Sequence, residues 1–180
     1  MRPVATSVCI LLGSLLLVLA APGLAREDAR LLRQPDLGAE VVVFAHAGDI
    51  WVAPRDGGDA RRLTTFAGVE SHPHLSPDGT RVAFTGAYDG NQDVYVVPTA
   101  GGEPRRLTWH PGPDTVRGWT PDGQAVVFAS GRANPPWSLN RLWTIALDAP
   151  MPERLTAYRA HAGEISPDGT RLAYQMVQPW

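Results

Sequence analysis

Two histidines separated by a single proline, His72 and His74, are the residues whose type and spacing most directly suggest metal chemistry. Side chains two positions apart in an extended segment lie on the same side of it, so both imidazoles would face one ligand. A structural zinc site needs about four protein ligands and a catalytic site about three. The other histidines stand far away in the chain, at positions 46, 110 and 161. We therefore interpret the pair as polar residues at the rim of a folding unit and predict no metal site.

The acidic segment from Asp89 to Asp93 resembles the first positions of a calcium-binding loop. An EF-hand loop requires glycine at its sixth position and glutamate at its twelfth. Val94 and Ala100 occupy those positions here. The segment is better interpreted as a hairpin loop, because it is rich in residues that favour turns.

The remaining sequence contains no motif that indicates catalysis. It lacks a G-x-S-x-G elbow, a phosphate-binding glycine loop and an H-E-x-x-H pair. Ser71 precedes His72, but adjacency in sequence does not indicate a catalytic pair, because the members of a triad converge in space. We predict no catalytic and no cofactor-binding residues in this segment, and the segment alone leaves open whether the whole protein is an enzyme.

A repeat of about 44 residues must position these side chains. A string of the type Ser-Pro-Asp-Gly-Thr-Arg-Val-Ala-Phe begins at positions 76, 120 and 166, which are 44 and 46 residues apart. A second string, centred on Trp51, Tyr95 and Trp143, recurs in phase with the first, and so does an Arg-Leu-Thr string ending at positions 64, 108 and 156. Three motifs repeated in one register indicate structural repeats.

Each repeat contains four short strands joined by turns. Ser-Pro-Asp-Gly is typical of a type I turn, because proline fixes φ at the second position and glycine suits the fourth. The run after it is β-branched and aromatic, as strands are. In the second repeat we place strands near residues 70–75, 81–86, 93–98 and 105–108. Four-stranded units of this period, without helical periodicity, predict an all-β fold, a β-propeller built of four-stranded blades.

Large aromatic side chains recur at two positions of the repeat, and we expect those of one blade to pack against the next blade. They are Phe44, Phe84, Phe128 and Tyr174 at one position and Trp51, Tyr95 and Trp143 at the other.

The propeller region, residues 26–180, contains blades at about 30–64, 70–108, 114–156 and an incomplete one at 160–180. Propellers close with about four to eight blades, so three and a half blades leave apolar faces open at both ends. We therefore expect a fragment of a longer protein. A natural short chain completed by self-association is the alternative.

Two sets of charged residues occupy repeat positions. Glu70 and Glu164 are predicted to begin equivalent inner strands that line the central channel, where we expect them to be solvated. The repeated arginines Arg62, Arg106 and Arg154 are expected to pair with blade carboxylates rather than to bind a ligand. Asp49 and Asp93 are the candidate partners.

The first 25 residues predict a secretory signal peptide. Arg2 precedes an apolar run of 14 residues, 8–21, and Gly23 and Ala25 place small residues before a cleavage site. The run is shorter than the roughly 20 residues of a membrane span, so we expect no stable span after cleavage. We expect an exported protein, in the bacterial periplasm. A formal net charge of −2 without a basic block argues against nucleic acid as a partner.

The repeats resemble those of Tol-system periplasmic propellers and, more closely, those of tricorn-type serine proteases. Longer strings carry the closer resemblance, and they are residues 50–52, 68–73, 88–96, 105–112 and 140–143. Tricorn-type proteases begin with a six-bladed propeller and continue into a seven-bladed propeller, a PDZ domain and a serine-protease domain. They cut peptides, and their propellers gate the passage of substrates and products.

The resemblance implies that this chain is the non-catalytic, gating and scaffolding propeller segment of an exported serine peptidase. Peptides would be the substrates of the full-length protein, which we expect to be a homo-oligomer without cofactors. No position matches the family's catalytic motifs. The main alternative is a Tol-type propeller that binds protein partners. Those proteins place an α/β domain before the propeller, whereas only about five residues separate the cleavage site from the first blade here. A free-standing binding propeller and a propeller fused to an amidohydrolase or oligopeptidase are further alternatives.

Overall fold

The computed structural model describes residues 31–132, 140–149, 151–156 and 159–176. These residues form fourteen β-strands, arranged as three four-stranded sheets and one two-stranded sheet. Among them, no helix is long and apolar enough to cross a membrane. The predicted signal peptide, residues 1–25, lies outside the described residues.

The first two sheets are antiparallel meanders, in which each strand pairs with the next one in sequence. The strands of the first sheet are β1 (Arg33–Leu37), β2 (Val41–His46), β3 (Asp49–Pro54) and β4 (Arg61–Arg62). Those of the second sheet are β5 (Val69–Leu75), β6 (Arg81–Tyr88), β7 (Asn91–Pro98) and β8 (Arg105–Arg106).

The third sheet has the same topology, and the fourth contains only the first two strands of the pattern. Their strands are β9 (Asp114–Trp119), β10 (Ala125–Ser130), β11 (Arg141–Ala146), β12 (Glu153–Arg154), β13 (Ala160–Ile165) and β14 (Leu172–Met176). The first strands of consecutive sheets contact one another, β1 with β5, β5 with β9 and β9 with β13. The predicted all-β fold, an incomplete propeller of four-stranded blades, is confirmed, and these four first strands are its inner strands.

The Ser-Pro-Asp-Gly strings form the predicted turns between the first and second strands of a blade. The Gly79 N–H donates to the Ser76 carbonyl at 2.8 Å, and the same bond closes the turns at 120–123 and 166–169. Asp78 Oδ1 accepts the Thr80 N–H at 3.0 Å, so the aspartate holds the exit of the turn. Gly79 has φ of +70°, a conformation that a residue with a Cβ rarely adopts.

Aromatic residues hold consecutive sheets together, as the repeat predicts. Phe84 and Tyr95 are opposite each other on β6 and β7, with ring centroids 5.7 Å apart. Both pack into one cluster with Val43 and Ile50 of the first sheet. In the next pair of sheets, Phe128 and Trp143 belong to a cluster with Ala83, Val94, Val96 and Leu107 of the second sheet. Each core therefore lies between two blades, and neither blade can bury its face alone.

The segment from Asp89 to Asp93 is a tight hairpin, as predicted, and connects β6 to β7. Tyr88 pairs with Asn91 across the turn, and the two central residues Asp89 and Gly90 have φ of +53° and +80°. Positive φ at both central positions is the signature of a type I′ turn.

Each of the four inner strands has a register shift in its pairing with the next strand, and in two of them the shift contains a residue with positive φ. The pairing of β5 with β6 shifts between Ser71 and His74, and His72 in this bulge has φ of +51°. The pairing of β1 with β2 shifts between Arg33 and Asp36, and Gln34 also has φ of +51°. A bulge bends a strand and re-aims its side chains. The bulges thus determine which polar residues face the space between the inner strands.

Candidate functional site

A cleft of about 480 Å³ lies where the inner strands of all four sheets converge. Its polar lining comes from one residue of each inner strand, and these are Asp36, His74, Arg117 and Glu164. Leu75, Trp119 and Ile165 contribute apolar walls beside them. In a propeller this position corresponds to the central channel, and we name it the channel cleft.

The two histidines of the His-Pro-His string do not act as a pair. The His72 N–H donates to Gln34 Oε1 at 2.8 Å, and its ring lies 3.0 Å from the Ser71 hydroxyl through Nδ1. His74 instead faces Asp36, with Nδ1 3.9 Å from Oδ2. The rim interpretation is corrected, because His74 lines the channel cleft on an inner strand. Within the described ranges, no three His, Cys, Asp or Glu residues are grouped so as to hold a metal ion.

The surroundings of both imidazoles favour the neutral form. Burial, with the nearby charges of Arg117 and His74, lowers the pKa of His72 to about 4. Burial also lowers the pKa of His74, and Arg117 acts in the same direction while Asp36 and Glu164 oppose it. The positive charge of the cleft therefore belongs to Arg117 and its negative charge to Asp36 and Glu164.

Arg117 lies in the channel cleft and forms no ion pair with a described residue. Its Nε is buried and has no hydrogen-bond partner. Among the described residues, ion pairs are formed by other arginines, such as Arg62, Arg106 and Arg132, and not by Arg117. Burial lowers the pKa of the guanidinium, although arginine stays charged at neutral pH. This arrangement presents a partly desolvated cation to the cleft.

The prediction for Glu70 is wrong, whereas Glu164 is exposed and lines the cleft as expected. Glu70 is only 2% exposed, and it accepts the Ile50 N–H at 3.0 Å and hydrogen bonds from the Thr64 and Tyr88 hydroxyls. The two glutamates are also not equivalent. Glu70 is opposite Gly86 in the pairing with β6, whereas Glu164 is opposite Ala173, the position that His74 occupies in the second sheet.

The inner-strand carboxylates Glu70 and Asp114 are buried in structural contacts, Glu70 across two sheets and Asp114 within the third sheet. Asp114 is fully buried and forms an ion pair with Arg132. Burial raises the pKa of both carboxyl groups, and the hydrogen bonds that each accepts act in the opposite direction. Their burial excludes them from the channel.

Two of the three repeated arginines pair as predicted. Arg62 lies 2.9 Å from Asp49, and Arg106 lies 2.5 Å from Asp93. In the third sheet Arg141 occupies the position of Asp93, so Arg154 has no carboxylate at that repeat position. These arginines are structural, in line with the sequence-based expectation.

Sequence reasoning missed Asp36 and Arg117. A signal for Arg117 exists, since His74 and Glu164 stand two residues before a Ser-Pro-Asp-Gly turn and Arg117 stands three residues before Thr120 of the equivalent turn. The first sheet lacks that turn sequence, so Asp36 carries no such signal.

Comparison with known proteins places this fold in a family. Residues 29–180 match the family model of the tricorn protease N-terminal beta propeller domain. A stretch of 59 residues is 46% identical to tricorn protease homolog 1 of Streptomyces coelicolor and covers 33% of this chain but 6% of that protein. The chain thus spans a small part of the curated relative that it matches.

Solved structures share the fold. The putative TolB of Agrobacterium tumefaciens superposes with a TM-score of 0.70 at 21% identity, over 81% of this chain and 54% of that one. The tricorn protease superposes with a TM-score of 0.67 at 23% identity, over 76% of this chain and 14% of that one. With the family model matched over residues 29–180, the chain belongs to the tricorn protease N-terminal β-propeller family.

Proposed function

We propose that this chain is the non-catalytic propeller part of an exported, tricorn-like serine peptidase that acts on peptides. Its blades scaffold the longer protein, and the channel between their inner strands gates the passage of peptides. The observation that carries the proposal is the family match over residues 29–180, together with the 46% identity to a tricorn protease homolog.

The described residues are consistent with a scaffold. The ion pairs Arg62–Asp49 and Arg106–Asp93 each lie within one blade, and Glu70 accepts a hydrogen bond from the neighbouring blade. The channel cleft is the part of the described surface where polar residues of all four sheets meet. A passage lined in this way suits peptides, which expose polar backbone groups along their whole length.

Export rests on the sequence of residues 1–25, which has the charge, apolar run and small residues of a signal peptide. A periplasmic location follows if the source organism is a bacterium with two membranes. Self-association of the longer protein is part of the same proposal.

Immunoprecipitation tests the proposal. An antibody raised against the chain should precipitate, from the exported fraction of the source organism, a longer polypeptide whose peptide hydrolysis is lost with a serine-directed inhibitor. The recombinant mature chain, residues 26–180, is the matched control and should show no inhibitor-sensitive hydrolysis. Cleavage by that control, or an inert precipitate, would overturn the assignment. An inert precipitate that contains stoichiometric protein partners would favour the Tol-type alternative, which the shared fold with the putative TolB supports.

A further inference from the structure

Arg117 has the chemistry of an unfilled anion site. Arg62, Arg106 and Arg132 each meet a carboxylate at 2.9 Å or closer, whereas the buried Nε of Arg117 meets no acceptor within the described residues. Arg117 lines the channel cleft, so an anion in the cleft would supply the ion-pair partner that this guanidinium lacks among the described residues.

The neighbours of Arg117 leave room for such a ligand. Burial and Arg117 both lower the pKa values of His72 and His74, which disfavours a competing cation beside the guanidinium. Asp36 is already engaged, since its Oδ2 accepts the Leu75 N–H at 2.7 Å and lies 3.9 Å from His74. Glu164 is solvent-exposed, so water screens its charge.

The walls beside Arg117 are apolar. Leu75, Trp119 and Ile165 line the same cleft, whose volume of about 480 Å³ admits a small molecule or the end of a chain. Trp119 is held in place, because its Nε1–H donates to the His74 carbonyl at 2.9 Å. A ligand that matches this surface has an anionic head and an apolar body.

We infer that Arg117 and the apolar walls of the channel cleft bind a carboxylate carried on an apolar body. A planar guanidinium matches a carboxylate through two parallel hydrogen bonds. A phosphate would fit the guanidinium equally well, but its second negative charge would be repelled more strongly by Asp36 and Glu164. The ligand is either a free aromatic or aliphatic acid or the carboxyl end of a peptide with an apolar last residue.

Calorimetric titration of the full chain with 4-phenylbutyrate tests this inference. The matched amide, 4-phenylbutyramide, has the same body without the charge, and inorganic phosphate has the charge without the body. We expect the acid to bind and both controls to bind at least tenfold more weakly. Acetyl-alanyl-phenylalanine distinguishes the two sources, since tighter binding than phenylbutyrate indicates a peptide terminus and weaker binding indicates a free acid.

The Arg117→Gln variant should raise the Kd of the acid by roughly tenfold to a hundredfold, as expected for the loss of a charged hydrogen bond. Arg55→Gln is the matched control, because Arg55 is an exposed arginine whose guanidinium donates to the Gly38 carbonyl. It should leave the Kd unchanged. Equal binding of acid and amide, binding of phosphate but not of the acid, or an unchanged Kd in Arg117→Gln would each overturn the inference. If circular dichroism shows that Arg117→Gln is unfolded, the difference in affinity between the acid and the amide on the unaltered chain still tests the inference.

Discussion

The carboxylate of Glu70, on the inner strand of the second sheet, accepts the backbone N–H of Ile50 in the first sheet at 3.0 Å. The contact ties two blades together at a buried point. In the third sheet Asp114 occupies the repeat position of Glu70, and Arg132 occupies that of Tyr88. A hydroxyl donor in one sheet is thus replaced by a guanidinium in the next, and each contacts a buried carboxyl group.

Replacement of Glu70 by glutamine should change how stability depends on pH. Burial raises the folded-state pKa of Glu70 above its ordinary value of 4.5, so the folded chain holds this proton more tightly than the unfolded chain. The stability that Glu70 contributes is therefore present below the unfolded pKa and is lost as pH rises through the folded pKa. Glu70→Gln removes this titration.

Urea unfolding at several pH values measures the effect. The free energy of unfolding of the unaltered chain should fall, relative to that of Glu70→Gln, as pH rises from about 4 toward neutrality. A carbon-13 titration should also place the Glu70 carboxyl midpoint above 4.5. Parallel pH profiles for the two proteins would show that burial of Glu70 does not shift its titration.

Removal of Arg106 should destabilise the fold. Asp93 is buried, and Arg106→Ala leaves its carboxylate with hydrogen bonds from Thr108 and Asn91 but without a counter-charge. We expect the free energy of unfolding to fall by about 1–3 kcal/mol. Thermal unfolding monitored by circular dichroism measures it.

Arg154→Ala is the matched control for that variant. Arg154 occupies the same repeat position and is exposed, and Arg141 stands where Asp93 would be. Its effect should be within about 0.5 kcal/mol. Equal melting temperatures for Arg106→Ala and the unaltered chain would contradict the structural role of the Arg106–Asp93 pair.

The turn aspartates should titrate unusually low. Hydrogen bonds from Ser76 and from the Thr80 N–H and hydroxyl hold the pKa of Asp78 at about 2. Because the folded pKa lies below the unfolded one, the contribution of Asp78 is present above the unfolded pKa and is lost as pH falls toward about 2. Carbon-13 titration of the side-chain carboxyl measures the midpoint directly.

Ser76→Ala removes the strongest of these hydrogen bonds and should raise the Asp78 midpoint. Asp168 is the internal reference, since the equivalent turn holds its pKa at about 2 as well and the variant leaves that turn intact. A midpoint for Asp78 that does not move in Ser76→Ala would sink this explanation.

Replacement of Gly79 should destabilise the fold because of its backbone conformation alone. It has φ of +70°, and a Cβ built on it meets no atom within 4 Å. Gly79→Ala should therefore cost about 1–2 kcal/mol, the penalty of the left-handed conformation. Gly79→Asn should cost less, because asparagine tolerates this conformation better. Chemical unfolding of both variants measures which loses more free energy of unfolding. Equal losses would indicate that a side-chain contact, rather than the positive φ, causes the destabilisation.

The repeat allowed most of the fold to be predicted from the sequence. Turn chemistry such as Ser76 to Gly79 is local, and aromatic positions such as Phe84 and Tyr95 recur with the blades, so both can be read without a structure. The side chains that the inner strands turn toward the channel could not be predicted in the same way. A bulge changes which side chains face the channel, and the positive φ of His72 that marks it has no sequence signal, since histidine is not a residue that requires it.

The candidate site was predicted less well for the same reason. Glu70 and Glu164 look alike in sequence, yet pairing with Gly86 buries the first, and pairing with Ala173 leaves the second at the channel. Arg117 does not belong to the repeated arginines Arg62, Arg106 and Arg154, and the sequence analysis did not single it out. Only the three-dimensional arrangement shows that its Nε has no acceptor.

The open reading frame beyond Trp180 in the source DNA decides whether these blades belong to a tricorn-like serine peptidase. We expect the frame to continue through further four-stranded repeats into a PDZ region and a serine-peptidase region. A stop codon directly after Trp180, or a continuation without a peptidase region, would contradict this assignment.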